Sequence, residues 1–199
     1  FQKEPVTREA MRSCLEKIDD PEMLDMVMRQ LRREVMTTLI VRDLTAHADF
    51  HEVVGTVTAL AEETVSAAVR VHSRKLAQRF GVPVGVSGEP QDLLVVGMGK
   101  LGGEELNVSS DIDLVFVYDE GGETQAIGEF ASARRQVTNH EFFDRLARRV
   151  IASINEIDGT GFVFRVDMRL RPFGDSGPLV ISSAMLEEYL YSEGRDWER

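Results

Sequence analysis

Residues 93–118 read LLVVGMGKLGGEELNVSSDIDLVFVY. Leu93 to Val96 is an apolar run of the kind that forms a buried strand. It breaks into a glycine-rich turn holding Gly97, Gly99, Gly102 and Gly103, followed by a short polar stretch over residues 104–110. Asp111-Ile112-Asp113 comes next, then a second apolar run over residues 114–118. A strand, a glycine turn, two carboxylates two residues apart and a second strand mark the place where chemistry is expected.

Two readings compete for the turn. Gly97-Met98-Gly99-Lys100-Leu101-Gly102 matches G-x-G-x-x-G directly after a strand, with the acidic Asp119 at the end of the next strand, which mimics a dinucleotide-binding fingerprint. That fold needs a helix of about ten residues or more after the glycines. Here Glu104 to Leu106 runs into Asn107, Val108, Ser109 and Ser110, a poor helical continuation, and further parallel strands with crossover helices are hard to find. The nicotinamide reading is therefore the weaker one.

The second reading starts from Asp111 and Asp113. On a strand, residues i and i+2 face the same side. At roughly 4 Å and an effective dielectric near 20, two such carboxylates repel by about 4 kcal/mol. A hard cation, Mg²⁺ or Mn²⁺, removes that cost. Glycines and serines just upstream can turn backbone N–H and hydroxyl groups toward a phosphate. The plainer alternative makes Asp111 a turn cap and Asp113 an exposed strand residue. The segment FVFRVDMRLRP, residues 162–172, tilts the balance. As a strand over residues 162–170 it puts Arg165, Asp167, Arg169 and Arg171 on one face and Val166, Met168 and Leu170 on the other. Asp167 then completes a three-carboxylate set for two divalent ions and in-line phosphoryl displacement. Arg169 and Arg171 are suited to phosphate oxygens, with cross-strand salt bridging as their plainer role.

The flanking chain reads as an α+β protein. Residues 1–80 are helical in pattern. Asp20-Pro21-Glu22 signals a helix start, and Leu24, Val27, Met28, Leu31, Val35 and Leu39 follow at steps of three and four. Asp49 to Glu52 and Thr138 to Glu141 have capping-box spacing. Met11, Met23, Met26, Met28 and Met36 read as core filling. Residues 81–90, GVPVGVSGEP, break the helical pattern and suggest a boundary, with a helical region over 1–88 and a catalytic core over 89–199. Residues 120–131 read as a mobile loop. The helix after Thr138 is expected to turn Phe143, Leu146, Val150, Ile154 and Ile157 inward, and a last helix is expected near Ser182 or Ser183.

Composition narrows the function. A net charge of −11 disfavours sequence-independent binding to nucleic acid, which runs on Lys and Arg. No apolar run approaches the length of a membrane span. Cys14 is the single cysteine, so no internal disulfide forms and a reducing cytoplasm is expected. Asn107-Val108-Ser109 is then a chance sequon. His47, His51 and His72 have no metal-site spacing. The polar start without Met, and the end over residues 194–199 (GRDWER), cut within or just after a helix, suggest a piece of a longer protein.

Gly and Ser followed by Asp-x-Asp, with a third Asp on a later strand, resembles the polymerase-beta-type nucleotidyltransferase superfamily. The fuller strings GMGKLGGEELNVSSDIDLVFVY, FVFRVDMRLRPFGDSGPLV and GRDWER resemble one family within it, the bacterial bifunctional glutamine synthetase adenylyltransferase/adenylyl-removing enzymes. The resemblance covers roughly residues 20–199. It implies a small mixed sheet with flanking helices, Asp111, Asp113 and Asp167 as metal ligands, and Gly102, Gly103, Ser109 and Ser110 as the phosphate-binding turn. The spacing from Gly103 to Asp111 is compact for the superfamily and leaves open which residues form the glycine–serine element. Met98 and Met168 stand where the adenylylating half shows tyrosine and alanine, so the resemblance favours the N-terminal, adenylyl-removing half. It implies glutamine synthetase, inorganic phosphate and ADP or ATP as partners, with a PII-type regulatory protein acting through the full-length enzyme. The alternatives are the adenylylating half, a nucleotidyltransferase for another substrate, or a catalytically silent module.

Overall fold

A computed structural model describes residues 4–193. Its helices are α1 (Arg8–Leu15), α2 (Pro21–Leu44), α3 (Phe50–Phe80), α4 (Gly99–Gly102), α5 (Asn139–Asn155) and α6 (Ser183–Ser192). Its strands are β1 (Val82–Gly85), β2 (Leu93–Met98), β3 (Ile112–Tyr118), β4 (Gly122–Gln125), β5 (Val166–Asp167) and β6 (Val180–Ser182). The architecture is the expected mixture of helices and sheet. Residues 194–199, expected within or after a helix, lie outside the described residues. Among the described residues no helix is long and apolar enough to cross a membrane.

Local chemistry sets the helix starts. Asp20 accepts from the Met23 N–H at 3.0 Å, with Pro21 as the first helical residue. Asp49 and Thr138 accept from the N–H groups of Glu52 and Glu141 at 2.8 and 3.1 Å. Neither glutamate closes a capping box: Glu52 pairs with Arg42 and Glu141 with Arg145. Ser182 caps α6 through the Met185 N–H at 3.3 Å.

The chain divides into two compact units. The first comprises the stretch up to Val71, Gly97–Asp113 and Val150–Asp167. Its buried side chains include Met11, Leu24, Met28, Val35, Leu60 and Ile112. Buried charge is compensated in place, with Glu63 held by Arg8 and Arg12 at 2.7 and 2.8 Å. The hydrogen bond from Arg12 and, after it, that from Arg8 lower the Glu63 pKa against the opposing effect of burial. Met11, Met28 and Met36 are core, as expected, but Met23 and Met26 are exposed because they fall off the apolar stripe of α2.

The second unit comprises His72–Val96, Leu114–Arg149 and the stretch from Met168. β1 and β4 pair antiparallel, Val82 opposite Gln125. The polar excursion after Glu120, expected as a loop, thus contains a strand. Buried Asn139 donates to the carbonyls of Val84 and Glu120 at 3.0 and 3.1 Å.

A four-stranded sheet has the order β2-β3-β5, with β6 also on β3. β5 pairs parallel with residues 112–113 and β6 parallel with residues 116–118. The strand expected over residues 162–170 is reduced to Val166–Asp167. Ile157, expected inward, is exposed because α5 ends at Asn155.

Candidate active site

The glycine turn is built from close approaches. A Cβ on Gly97 would lie 2.9 Å from the Leu101 side chain, and one on Gly102 would lie 2.5 Å from the Gly97 carbonyl oxygen. Gly99 has φ +56° and opens α4, and a Cβ there would stand 2.9 Å from Asp113 Oδ2. The turn backbone and the Asp113 carboxylate are therefore in direct proximity. The Gly103 N–H donates to the Gly99 carbonyl at 3.0 Å. Leu106, fully buried, anchors the return, its N–H facing Thr58 Oγ1 at 3.4 Å. α4 spans only four residues, too few for the helix that a dinucleotide fold requires.

Residues 107–110 form an Asx turn. Asn107 Oδ1 accepts from the Ser109 N–H at 3.2 Å and from the Ser110 hydroxyl at 2.8 Å. The Ser109 hydroxyl also faces it, at 3.4 Å. The two serines expected to face a phosphate thus address Asn107. Its organising role is legible in principle, since Asn two residues before Ser is a turn signal.

The carboxylates follow at the edge of β3. Asp113 is the one residue of β3 that is not buried. Its register partner across the parallel pair is Asp167. Asp111 and Arg165, one step beyond each strand, meet at 2.5 Å, and the Ile112 N–H donates to the Arg165 carbonyl at 2.9 Å. Arg165 also donates to the Ser109 carbonyl at 2.9 Å. Two rungs result, Asp111 with Arg165 and Asp113 beside Asp167. The i, i+2 spacing puts all four side chains on one face. Arg165, which sequence reasoning put on this face without a role, ties the turn to β5.

β5 is held from behind. The Val163 and Phe164 N–H groups donate to the Ile154 carbonyl at 3.1 and 3.0 Å, and the Val166 N–H donates to Asn155 Oδ1 at 3.2 Å. The Arg32 guanidinium lies 4.7 Å over the Phe162 ring. Burial and, secondarily, the positive charge of Arg165 lower its pKa.

Arg169 and Arg171 belong to a turn in the second unit and do not continue the strand face. The Arg171 N–H and Nη1 donate to the Met168 carbonyl at 3.3 and 2.7 Å.

The donor set is all oxygen and suits a hard divalent cation. The backbone register brings two of the predicted ligands side by side, while the third, Asp111, is turned to Arg165. Among the described residues, no group of three or more His, Cys, Asp or Glu side chains is gathered closely enough to hold a metal ion. The residues fit an ion as a carboxylate pair with a third carboxylate one rung away.

Comparison with known proteins places the chain in a family. The model of the family described as glutamate-ammonia ligase adenylyltransferase matches residues 2–199. A protein of Chromobacterium violaceum named bifunctional glutamine synthetase adenylyltransferase/adenylyl-removing enzyme is 54% identical over 183 residues, covering 92% of this chain and 20% of its own length. Proteins of the same name from Burkholderia mallei and Nitrosomonas eutropha are 50% and 48% identical, each over 98% of this chain and 21% of their own length. The chain spans about a fifth of the length of these relatives. With a family model matching almost its whole length, this chain belongs to the glutamate-ammonia ligase adenylyltransferase family.

Proposed function

We propose that this chain is the nucleotidyltransferase core of an adenylyl-removing unit, of the polymerase-beta type, which cleaves AMP from an adenylylated tyrosine of glutamine synthetase with inorganic phosphate. The observation that carries the reading is the register of Asp113 beside Asp167 against the bare backbone of Gly99. The names of the relatives support the substrate, and Met98 and Met168 support the removing half over the adenylylating one.

In the reaction, a phosphate oxygen bonds to the α-phosphorus as the bond from phosphorus to the tyrosine oxygen breaks, giving ADP and a phenolate that takes a proton from water. A phenol of pKa about 10 is a tolerable leaving group, so no dedicated general acid is required. Asp113 and Asp167 would hold Mg²⁺ or Mn²⁺, with Asp111 as the third candidate ligand. The ion, when bound, supplies positive charge to the phosphoryl oxygens and the departing phenolate oxygen. Gly102, Gly103, Ser109 and Ser110 would border the phosphate, the two serines once they release Asn107. Regulation by a PII-type protein reaches this activity through the longer protein, in the cytoplasm.

The test is ADP release. The chain is mixed with adenylylated glutamine synthetase, phosphate and Mg²⁺, with Asp111→Asn and Asp113→Asn in parallel. ADP is expected from the unaltered chain, with a loss of about a hundredfold or more in each variant. Near-normal turnover by Asp113→Asn sinks the carboxylate assignment. AMP transfer from ATP without ADP release reassigns the chain to the adenylylating half.

A further inference from the structure

The second unit contains a groove of about 500 Å³ far from carboxylate chemistry in composition. Its lining comes from three segments: Lys75, Leu76, Gln78 and Arg79 of α3, Ser132 and Arg134 of the loop before α5, and Arg149 of α5. Four cations thus converge on one small volume in a chain of net charge −11.

Three neighbouring arginines differ from these four in having a carboxylate partner. Arg74 pairs with Glu129, Arg145 with Glu141 and Arg148 with Asp144, at 2.9, 2.6 and 2.8 Å. Among the described residues, Lys75, Arg79, Arg134 and Arg149 enter no ion pair. Arg79 lies over the Phe80 ring at 5.1 Å. All four are exposed, and their grouping keeps like charges together without a carboxylate among them.

The groove falls within the size range of small-molecule sites. Guanidinium forks donate to phosphate oxygens in pairs, and a lysine adds a mobile point charge. Four cations call for several negative charges within a few ångströms. An oligophosphate chain supplies them on adjacent phosphorus atoms, whereas carboxylate side chains supply one each on separate residues. Gln78 and Ser132 add neutral hydrogen-bonding groups to the lining.

We propose that this groove binds a compact oligophosphate, free or as part of a nucleotide, at a site distinct from the carboxylate face. The assignment rests on no part of the reaction proposed above.

The experiment is calorimetric titration of the whole chain in EDTA with tripolyphosphate, with ATP and with an oligoglutamate peptide. EDTA keeps metal-dependent binding out of the measurement. Tripolyphosphate is expected to bind, more weakly as salt is raised. Arg134→Gln with Arg149→Gln is expected to weaken it at least tenfold, as is Lys75→Gln with Arg79→Gln on α3. Arg148→Gln removes the same charge from α5 outside the groove and is expected to change binding less than twofold. Unaltered melting temperatures establish that each variant is folded. Tighter binding of ATP than of tripolyphosphate identifies a nucleotide as the source of the phosphate chain, and equal binding identifies the chain itself. The proposal is overturned by absence of tripolyphosphate binding, by a loss as large in Arg148→Gln as in the paired variants, or by a preference for oligoglutamate, which points to an acidic protein surface.

Discussion

The two ends of β3 face opposite demands. At the far end, Phe116, Val117 and Tyr118 are buried and pair with Val180, Ile181 and Ser182 of β6. The Tyr118 ring stacks on Phe143 at 5.2 Å. At the near end only Ile112 and Asp113 are paired, with a partner strand of two half-buried residues, and polar links from Asn155 and Arg165 do the holding. Apolar burial fixes the strand at its far end, and a short polar ladder carries the carboxylates at its near end.

The sharpest way to break this contrast is a pair of substitutions. Phe116→Ala is expected to lower the unfolding free energy by about 3–5 kcal/mol, the cost of emptying a packed aromatic site. Asp113→Asn is expected to change it by less than about 1 kcal/mol, since it removes charge and no volume. Urea denaturation followed by circular dichroism reads both. Equal losses would show that the near end is as structural as the far one.

Acid supplies the next test. Burial, then the charge of Arg149, pushes the His72 pKa down to about 4 from an ordinary 6.5. The unfolded chain therefore binds the proton first. The stabilisation from neutral His72 is fully present above pH 6.5 and is lost as pH falls toward 4, by about 3 kcal/mol at most. Glu63, held by Arg12 and Arg8, contributes stability that is present above pH 4.5 and lost only below it. A fall in the urea midpoint between pH 6.5 and 4.5 that disappears in His72→Gln separates the two. A slope unchanged by that substitution would remove His72 from the account.

Smaller effects probe the turn. Gly99→Ala meets a left-handed φ and the Asp113 carboxylate together, and is expected to cost about 1–2 kcal/mol with reduced ADP release. Gly103→Ala has an ordinary φ and ordinary contacts at 3.5 Å, and is expected to cost less than about 1 kcal/mol. The smallest stability change is expected for Arg165→Gln, under about 1 kcal/mol, because both partners of its pair are substantially exposed. Thermal melts of the three variants rank them, and a reversed order of the two glycines would detach Gly99 from the site.

Much of the site was legible in residue order. The strands on either side of the glycine turn, the short run between them, and the shared face of Asp111 and Asp113 all follow from local pattern. The helix starts at Asp20, Asp49, Thr138 and Ser182 follow from capping chemistry. The segment over 162–170 was harder. Its alternation of Arg165, Asp167, Arg169 and Arg171 with apolar residues has the period of a strand, yet a ladder needs a partner. β3 gives its residues 112–113 to β5 and its residues 116–118 to β6. The chain turns at Met168, and Arg171 closes that turn instead of extending the charged face. The β1–β4 pair was hidden for the converse reason. Gly122 to Gln125 has no apolar alternation, and only a distant partner makes it a strand.

Residue order alone determined the glycine turn, the caps and the helices of the first eighty residues, because each depends on neighbours a few positions away. Tertiary structure decided that Asp167 stands opposite Asp113, that Asp111 answers to Arg165, and that four cations from three segments line one groove. Those facts depend on pairing register and on the convergence of distant segments, which no local pattern encodes.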